Sequence, residues 1–201
     1  MRSMPGVLQK LDTTLALNRL AWVSGELPQA AVLVALSAEA QPTVLLGRRA
    51  AHLTHHPREI AFPGGKRELV DSTPWCTARR EANEEAGIED SLVYPLGELS
   101  PLVTRTGFEV HPCVAMVPAE LALTVDEQEF DTLFRQPLLR FADPAVFRLE
   151  TMTVNGTARK VPHYQIENDN IWGVTAAVLA MLANIAYDAG LDLQRNWNTK
   201  P

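Results

Sequence analysis

The sequence predicts an α/β fold in which a mixed β-sheet is covered by helices on both faces. Short apolar segments rich in Val, Leu and Ala are typical of strands, and amphipathic segments with capping residues are typical of helices. The two kinds of segment follow each other without a regular βαβ repeat, which favours a mixed sheet over a fully parallel one. At 201 residues the chain has the usual length of one domain, so we expect a single domain over 1–201.

Each element has its own local signal. Apolar runs predict strands, in chain order, at 30–36, 43–46, 93–103, 108–117, 147–154 and 161–166. Leucine spacing predicts a helix at 7–22, and capping residues with an apolar stripe predict one at 74–86. Helices are also predicted at 127–135 and 171–189. Asn155-Gly156 is a strong hairpin signal between the last two strands, and Gly190 is well suited to end the closing helix.

Composition excludes several classes of protein. There are 18 Lys+Arg against 24 Asp+Glu, giving a net charge of −6, which argues against non-specific nucleic-acid binding. Cys76 and Cys113 form no CxxC pair, so neither a disulfide framework nor a zinc knuckle is indicated. No signal-peptide pattern occurs in 1–25, and the apolar stretch 171–186 is shorter than the roughly 20 residues of a membrane span. We expect a soluble cytoplasmic protein with no nucleic-acid or membrane partner.

The helix predicted at 74–86 carries the strongest chemical signal. Either Ser72 or Thr73 can cap its free N–H groups, Pro74 suits the first turn, and Gly87 suits the left-handed position that ends a helix. Both ends of this helix are therefore defined by the sequence alone.

Three glutamates lie on one face of that helix. Glu81, Glu84 and Glu85 are spaced i, i+3 and i+4, and like charges at this spacing cost roughly 0.2–0.5 kcal/mol per pair. A divalent cation would remove that cost by using the carboxylates as hard oxygen ligands. The alternative is a solvated acidic face partnered by Arg79 and Arg80.

The segment around this helix resembles the Nudix box, G-x5-E-x7-R-E-U-x-E-E-x-G-U, where U is a bulky aliphatic residue. Residues 80–88 match its second half throughout, with Ala82 at an aliphatic position. The first half departs, because Asp71 replaces the glutamate and eight residues instead of seven separate it from Arg80. The box spans about 64–88.

An upstream segment narrows the resemblance to the coenzyme A pyrophosphatase branch of Nudix hydrolases. That branch carries a motif close to LLTxR(S/A)x3Rx3Gx3FPGG, and residues 45–65 align with it without a gap. Three positions differ, with Gly47 for Thr, Thr54 for Arg and Arg58 for Gly. Residues 171–177 also resemble the start of the branch's closing helix.

The resemblance implies a Nudix-type α/β/α sandwich and metal-dependent hydrolysis of the diphosphate bond of coenzyme A or its derivatives, giving 3′,5′-ADP and 4′-phosphopantetheine. The first alternative is another nucleoside diphosphate derivative or a nucleoside triphosphate, such as ADP-ribose or a dinucleotide. The second is a non-catalytic nucleotide-sensing domain. The substrate is expected to be a small nucleotide, and the N-terminal helix is a candidate homodimer contact.

The resemblance also implies roles for individual residues. Glu81 and Glu85 are the expected main ligands of Mg²⁺ or Mn²⁺, with Glu84 a ligand or the group that activates water. The Gly65 carbonyl is an expected further ligand, and Arg80 orients the glutamates. A basic stretch in this acidic chain is expected to bind the anionic nucleotide; it comprises Arg48, Arg49, Arg58, Lys66 and Arg67. An acidic cluster is a candidate source of the general base or a solvated helix start; it comprises Asp126, Glu127 and Glu129.

Overall fold

The computed structural model describes residues 4, 6–15, 21–22, 25–154 and 156–193. The helices in these ranges are α1 (Gly6–Leu15), α2 (Pro74–Ala86) and α3 (Gly173–Tyr187). The strands are β1 (Gln29–Ser37), β2 (Thr43–Arg49), β3 (Ile60–Ala61), β4 (Gly64–Lys66), β5 (Tyr94–Glu98), β6 (Leu102–Val103), β7 (Glu109–Val117), β8 (Phe130–Pro137), β9 (Phe147–Val154), β10 (Thr157–Ile166) and β11 (Asp169–Trp172).

The main sheet is mixed, as the sequence predicts. Its path is β3-β2-β1-β7-β5, while β4 pairs with β1, β6 with β7 and β8 with β2. The long pairing of β1 with β7 is parallel, and the other pairings in this sheet are antiparallel. A smaller antiparallel sheet has the order β11-β10-β9.

Strand β1 is central because both of its faces are covered. Successive side chains of a strand point to opposite faces, and here Leu33 and Ala35 pack in the core beneath α2, whereas Val34 and Leu36 pack in the core that includes α1 and α3. Helices therefore cover both faces of the main sheet, which confirms the predicted α/β/α arrangement.

The predicted hairpin around Asn155-Gly156 is confirmed. Strands β9 and β10 pair antiparallel, with Val154 opposite Thr157. Gly156 has a φ of 77°, a left-handed conformation that glycine adopts without steric cost.

The helix predicted at 127–135 is wrong, since the chain forms strand β8 from Phe130 onward. Strand β8 pairs with β2 over its length, so its backbone hydrogen bonds are made to β2. The ring of Phe130 also fills the space over Gly47, where a Cβ atom would overlap it. This tertiary partner overrides the local helical pattern.

The closing helix is shorter than predicted at both ends. Trp172 and the residue before it belong to β11, and the helix begins at Gly173 with a φ of 64°. It ends at Tyr187, where Asp188 and not Gly190 takes the left-handed capping position, with a φ of 53°. The predicted N-terminal helix is observed to Leu15; residues 16–20 lie outside the described ranges. The strand predicted at 93–103 is divided into β5 and β6. No helix in the described part of the chain is long and apolar enough to cross a membrane.

Candidate active site

Helix α2 is held at both ends as its sequence dictates. Thr73 Oγ1 accepts a hydrogen bond from the Cys76 backbone N–H at 3.3 Å. Gly87 adopts a φ of 68° and donates its N–H to Asn83 O at 3.0 Å. The buried alanine Ala82 packs against the main sheet, so the opposite, acidic side of the helix is presented to the loop that contains β4.

Glu85 is the buried acid of the site. Its residue is 5% exposed, and its Oε2 accepts a hydrogen bond from the Gly64 N–H at 2.8 Å. The pKa of the Glu85 carboxyl is raised to about 8, chiefly by burial. The charges of Glu81 and Glu129 act in the same direction, whereas the Gly64 hydrogen bond and the charge of Arg49 oppose the shift. Burial disfavours the ionised form of this carboxyl group, and a bound cation would stabilise that form.

Glu81 lies directly against Gly65. A Cβ atom at Gly65 would overlap the Glu81 carboxylate, so only glycine allows the backbone and this acid to approach each other so closely. Burial raises the pKa of Glu81, and the nearby charges of Glu84 and Glu129 act in the same direction, while Arg80 opposes them. The fold thus brings Gly65 and the acidic helix together.

Arg80 connects the acids of the site. Its guanidinium donates to Glu81 Oε1 at 2.9 Å, to Glu84 Oε2 at 3.3 Å and to Asp71 Oδ2 at 3.0 Å. Asp71 is buried and also accepts from Thr77 Oγ1 at 2.8 Å. Burial alone would raise the pKa of Asp71, but the hydrogen bonds from Arg80, the Glu68 N–H and Thr77 hold it below its ordinary value.

Asp71 is therefore linked to Arg80, although eight residues separate the two in the chain. Glu84 differs from the other two helix glutamates because its side chain is 57% exposed. It is the acid of this helix that is most open to solvent and to an incoming ligand.

Glu129 joins the site from a separate element. It stands just before β8, its backbone carbonyl accepts from the Ala50 N–H at 2.9 Å, and its side chain accepts from Arg49 at 3.4 Å. Its charge raises the pKa of both Glu81 and Glu85. The acidic cluster near 126–129 was visible in the sequence, but only the β8–β2 pairing places Glu129 beside α2.

The other acids of that cluster do not join the site in the same way. The Asp126 backbone N–H donates to Glu85 O at 3.0 Å, while its carboxylate accepts from the Gln128 N–H at 2.9 Å. These bonds hold the turn that precedes β8 against the end of α2. Asp126 therefore stabilises this turn.

The five predicted substrate cations do not form one cluster. Arg49 lies with Glu129, whereas its neighbour Arg48 pairs with Asp169 of β11 at 2.7 Å. Arg67 donates to Gln29 at 2.8 Å and lies over the Trp22 ring at 4.9 Å.

The two remaining predicted cations are Lys66 and Arg58. The Lys66 ammonium is 5.3 Å from the centre of the Phe108 ring. Arg58 has a φ of 63°, and its backbone N–H donates to Arg49 O at 3.0 Å. Of the predicted cations, Arg49 acts on the pKa of Glu85, and Lys66 directly follows Gly65 in β4.

The carboxylate oxygens of the site suit a divalent metal ion, although the side chains that carry them do not converge on one point. No group of three or more Asp, Glu, His or Cys side chains in the described ranges is already arranged as a metal cluster, because Arg80 draws Glu81 and Glu84 toward itself. All donors are hard oxygens, as Mg²⁺ and Mn²⁺ prefer, and Glu85 is buried with a raised pKa. Mg²⁺ also needs few protein carboxylates because it keeps several waters.

Comparisons with known proteins agree with this geometry. The NUDIX domain family model matches residues 27–154. Proteins described as uncharacterized Nudix hydrolase NudL, from Yersinia pestis (strain Pestoides F) and Yersinia pseudotuberculosis (serotype O:1b, strain IP 31758), are each 38% identical over 155 residues, which is 77% of this chain and 78% of theirs. The crystal structure of DR0079 from Deinococcus radiodurans shares the fold, with a TM-score of 0.53 at 16% identity over 81% of this chain and 85% of that one.

The chain belongs to the Nudix family. It is a Nudix hydrolase, a pyrophosphohydrolase that acts on a small nucleoside diphosphate derivative, and hydrolases of this family generally use divalent metal ions.

Proposed function

We propose that this Nudix hydrolase cleaves the diphosphate bond of coenzyme A or its derivatives, giving 3′,5′-ADP and 4′-phosphopantetheine. The observation that carries the proposal is segment 45–65, which resembles the coenzyme A pyrophosphatase motif without a gap. In the fold this segment comprises most of β2, the loop after it, β3 and the start of β4. It ends at Gly64 and Gly65, which contact Glu85 and Glu81, so it borders the acidic site.

The acids of α2 are proposed to hold the metal. Glu81 and Glu85 are the main ligands of Mg²⁺ or Mn²⁺, Glu84 is a ligand or a proton acceptor, and the Gly65 carbonyl is a further ligand. When bound, such an ion neutralises the diphosphate and acidifies water. Support comes from the burial of Glu85 and from the close approach of Gly65 to Glu81.

Other residues of the chain position these ligands and move the proton. Arg80 bridges Asp71 to Glu81, which fixes the rotamer of Glu81 toward the loop. The Glu84 and Glu129 carboxylates are the candidates for accepting the proton of the attacking water, because one is open to solvent and the other belongs to a separate element beside the helix. Either carboxylate could hold the proton until product leaves.

The substrate's phosphates are proposed to contact the basic residues predicted from the sequence. Support for Arg49 comes from its effect on Glu85, support for Lys66 from its position next to Gly65, and support for Arg58 from its backbone bond to Arg49. Arg48 and Arg67 are part of the same proposal, but each would have to leave its present hydrogen-bond partner to reach substrate.

The residues of the motif and of the site bear on the two alternative functions. Thr54 and Arg58 depart from the coenzyme A motif, which favours another nucleoside diphosphate derivative or triphosphate as the runner-up substrate. A nucleotide-sensing domain without catalysis is disfavoured because Glu81, Glu84 and Glu85 are all present. The proposal also includes a cytoplasmic location and a homodimer; the buried leucines of α1 pack within their own chain, so a dimer would use other surfaces.

A substrate panel tests the proposal. Coenzyme A, acyl-coenzyme A, ADP-ribose, NADH and nucleoside triphosphates are each incubated with Mg²⁺ and with Mn²⁺, and the products are separated by chromatography. Release of 3′,5′-ADP from coenzyme A supports the proposal. Turnover of another compound with coenzyme A left intact would overturn the substrate assignment, and no turnover of any compound would favour a sensing domain.

A further inference from the structure

Two adjoining clefts open beside the start of α3, away from the acids of α2. The smaller has a volume of about 60 Å³ and the larger about 160 Å³. Both are lined by the same residues of the turn after β6 and of the α3 start, namely Thr104, Arg105, Trp172, Gly173 and Val174. The larger cleft is also lined by His56 and Glu59, which belong to the loop that carries Arg58.

Two arginines line the smaller cleft without a partner. In the described part of the chain, neither Arg105 nor Arg159 makes a side-chain hydrogen bond or ion pair. By contrast, Arg48, Arg49 and Arg80 each pair with a carboxylate. Two unpaired guanidinium groups at one concave surface of an acidic protein are typical of a site that takes an anion.

The backbone adds positive potential at the same place. Trp172 stands at the N-terminal cap of α3 and makes no capping hydrogen bond with its side chain, so the first N–H groups of the helix have no such partner. The indole ring of Trp172 is stacked on His163, with 5.9 Å between the ring centres and 15° between the planes. A flat, supported ring therefore borders the arginines.

A series of contacts connects the turn beside the clefts to the acidic site. The turn that carries Arg105 ends at Phe108, whose ring lies under the Lys66 ammonium. Lys66 follows Gly65, which lies against the Glu81 carboxylate. A substrate whose diphosphate is held near Glu81 can therefore extend along β4 and the turn into the two clefts.

We propose that Arg105 and Arg159 form a second anion subsite, which binds a phosphate monoester on the nucleoside part of the substrate. The smaller cleft, which both arginines line, is the proposed position of the phosphate. Trp172 offers its ring to the adjoining nucleoside. The subsite deepens the proposed function and rests on it, because coenzyme A carries such a monoester at the ribose 3′ position.

The test compares coenzyme A with dephospho-coenzyme A, which lacks only that phosphate. The unmodified protein should have the higher kcat/KM for coenzyme A. Arg105→Gln and Arg159→Gln should each lower this value about tenfold, mainly through KM, because each removes a charge-assisted contact. Both variants should stay within about twofold of the unmodified protein on dephospho-coenzyme A. Arg140→Gln is the matched control, since Arg140 is exposed and lies in the turn after β8.

Equal losses on the two substrates, or no loss on either, would overturn the subsite. A binding measurement separates its failure from the failure of the proposed function. Calorimetry on the full chain should show tighter binding of 3′,5′-ADP than of 5′-AMP, and Arg105→Gln should remove the difference. If this preference holds while coenzyme A is not hydrolysed, the subsite stands and the proposed reaction fails.

A third probe distinguishes a bound monoester from a free anion. Inorganic phosphate should bind much more weakly than 3′,5′-ADP, because it lacks the nucleoside that would lie beside Trp172. Equal affinity for the two would show a site for free phosphate and would overturn the assignment to substrate.

Discussion

The buried carboxylate of Glu85 should make the metal-free protein less stable as pH rises, and Glu85→Gln should remove that effect. The pKa of this group is about 8 in the folded chain against an ordinary value of 4.5. Between these values the folded state binds the proton more tightly than the unfolded state does. Folding stability therefore falls as pH rises through this window and becomes constant above it.

The size of the effect follows from the same two values. At pH 7 the unfolded state has lost the Glu85 proton and the folded state largely keeps it, which corresponds to about 3 kcal/mol. The amide that replaces the carboxyl group in Glu85→Gln carries no charge, and its carbonyl oxygen can still accept from the Gly64 N–H, so the substitution keeps the local hydrogen bond. This variant should therefore gain about 3 kcal/mol on the unmodified protein between about pH 4.5 and pH 7.

The assay is urea unfolding in the presence of EDTA at several pH values, with the difference in unfolding free energy between the two proteins as the readout. Glu84→Gln is the matched control, because the Glu84 side chain is 57% exposed and has little burial to relieve. This variant should not reproduce the gain in stability expected for Glu85→Gln. A difference for Glu85→Gln that does not change between about pH 4.5 and pH 8 would refute the claim that burial opposes this charge.

Three further predictions follow from the site. Mg²⁺ or Mn²⁺ at about 100 times its Kd should stabilise the unmodified protein by about 2.7 kcal/mol and Glu85→Gln much less, as thermal unfolding would show; equal shifts would exclude Glu85 as a ligand. Glu85→Gln should also abolish diphosphate hydrolysis while the exposed control Glu89→Gln keeps it; measurable turnover by Glu85→Gln under identical assay conditions would contradict the metal site. Gly65→Ala should lower kcat at least tenfold with a near-normal circular dichroism spectrum, because the added methyl group displaces Glu81; unchanged kcat would show that their close approach is dispensable.

Helix α2 shows what sequence reasoning does well. Its ends at Pro74 and Ala86 agree with the prediction, because Thr73 and Gly87 act on the backbone within one turn of the helix. Glu81, Glu84 and Glu85 share one side of this helix for the same local reason, because their spacing along the chain sets their positions on it. Signals that act over three or four residues survive in the fold because no distant partner competes with them.

The features that the sequence does not predict depend on contacts between residues far apart in the chain. Strand β8 pairs with β2, which lies far earlier in the chain, and this pairing both replaces the predicted helix and brings Glu129 to the site. The sequence predicts one basic cluster, but Arg48 pairs with Asp169 and Arg49 with Glu129. The pairing of β2 with β8 shifts register between these two arginines, which the local sequence pattern does not show.

A competition assay tests the central claim most directly. Coenzyme A, ADP-ribose and NADH are mixed at equal concentration with the unmodified protein and Mg²⁺ or Mn²⁺, and their consumption is followed by chromatography in a single tube, with Glu85→Gln as the inactive reference. The account predicts that coenzyme A disappears first and that 3′,5′-ADP accumulates with 4′-phosphopantetheine. Consumption of ADP-ribose or NADH ahead of coenzyme A would contradict it.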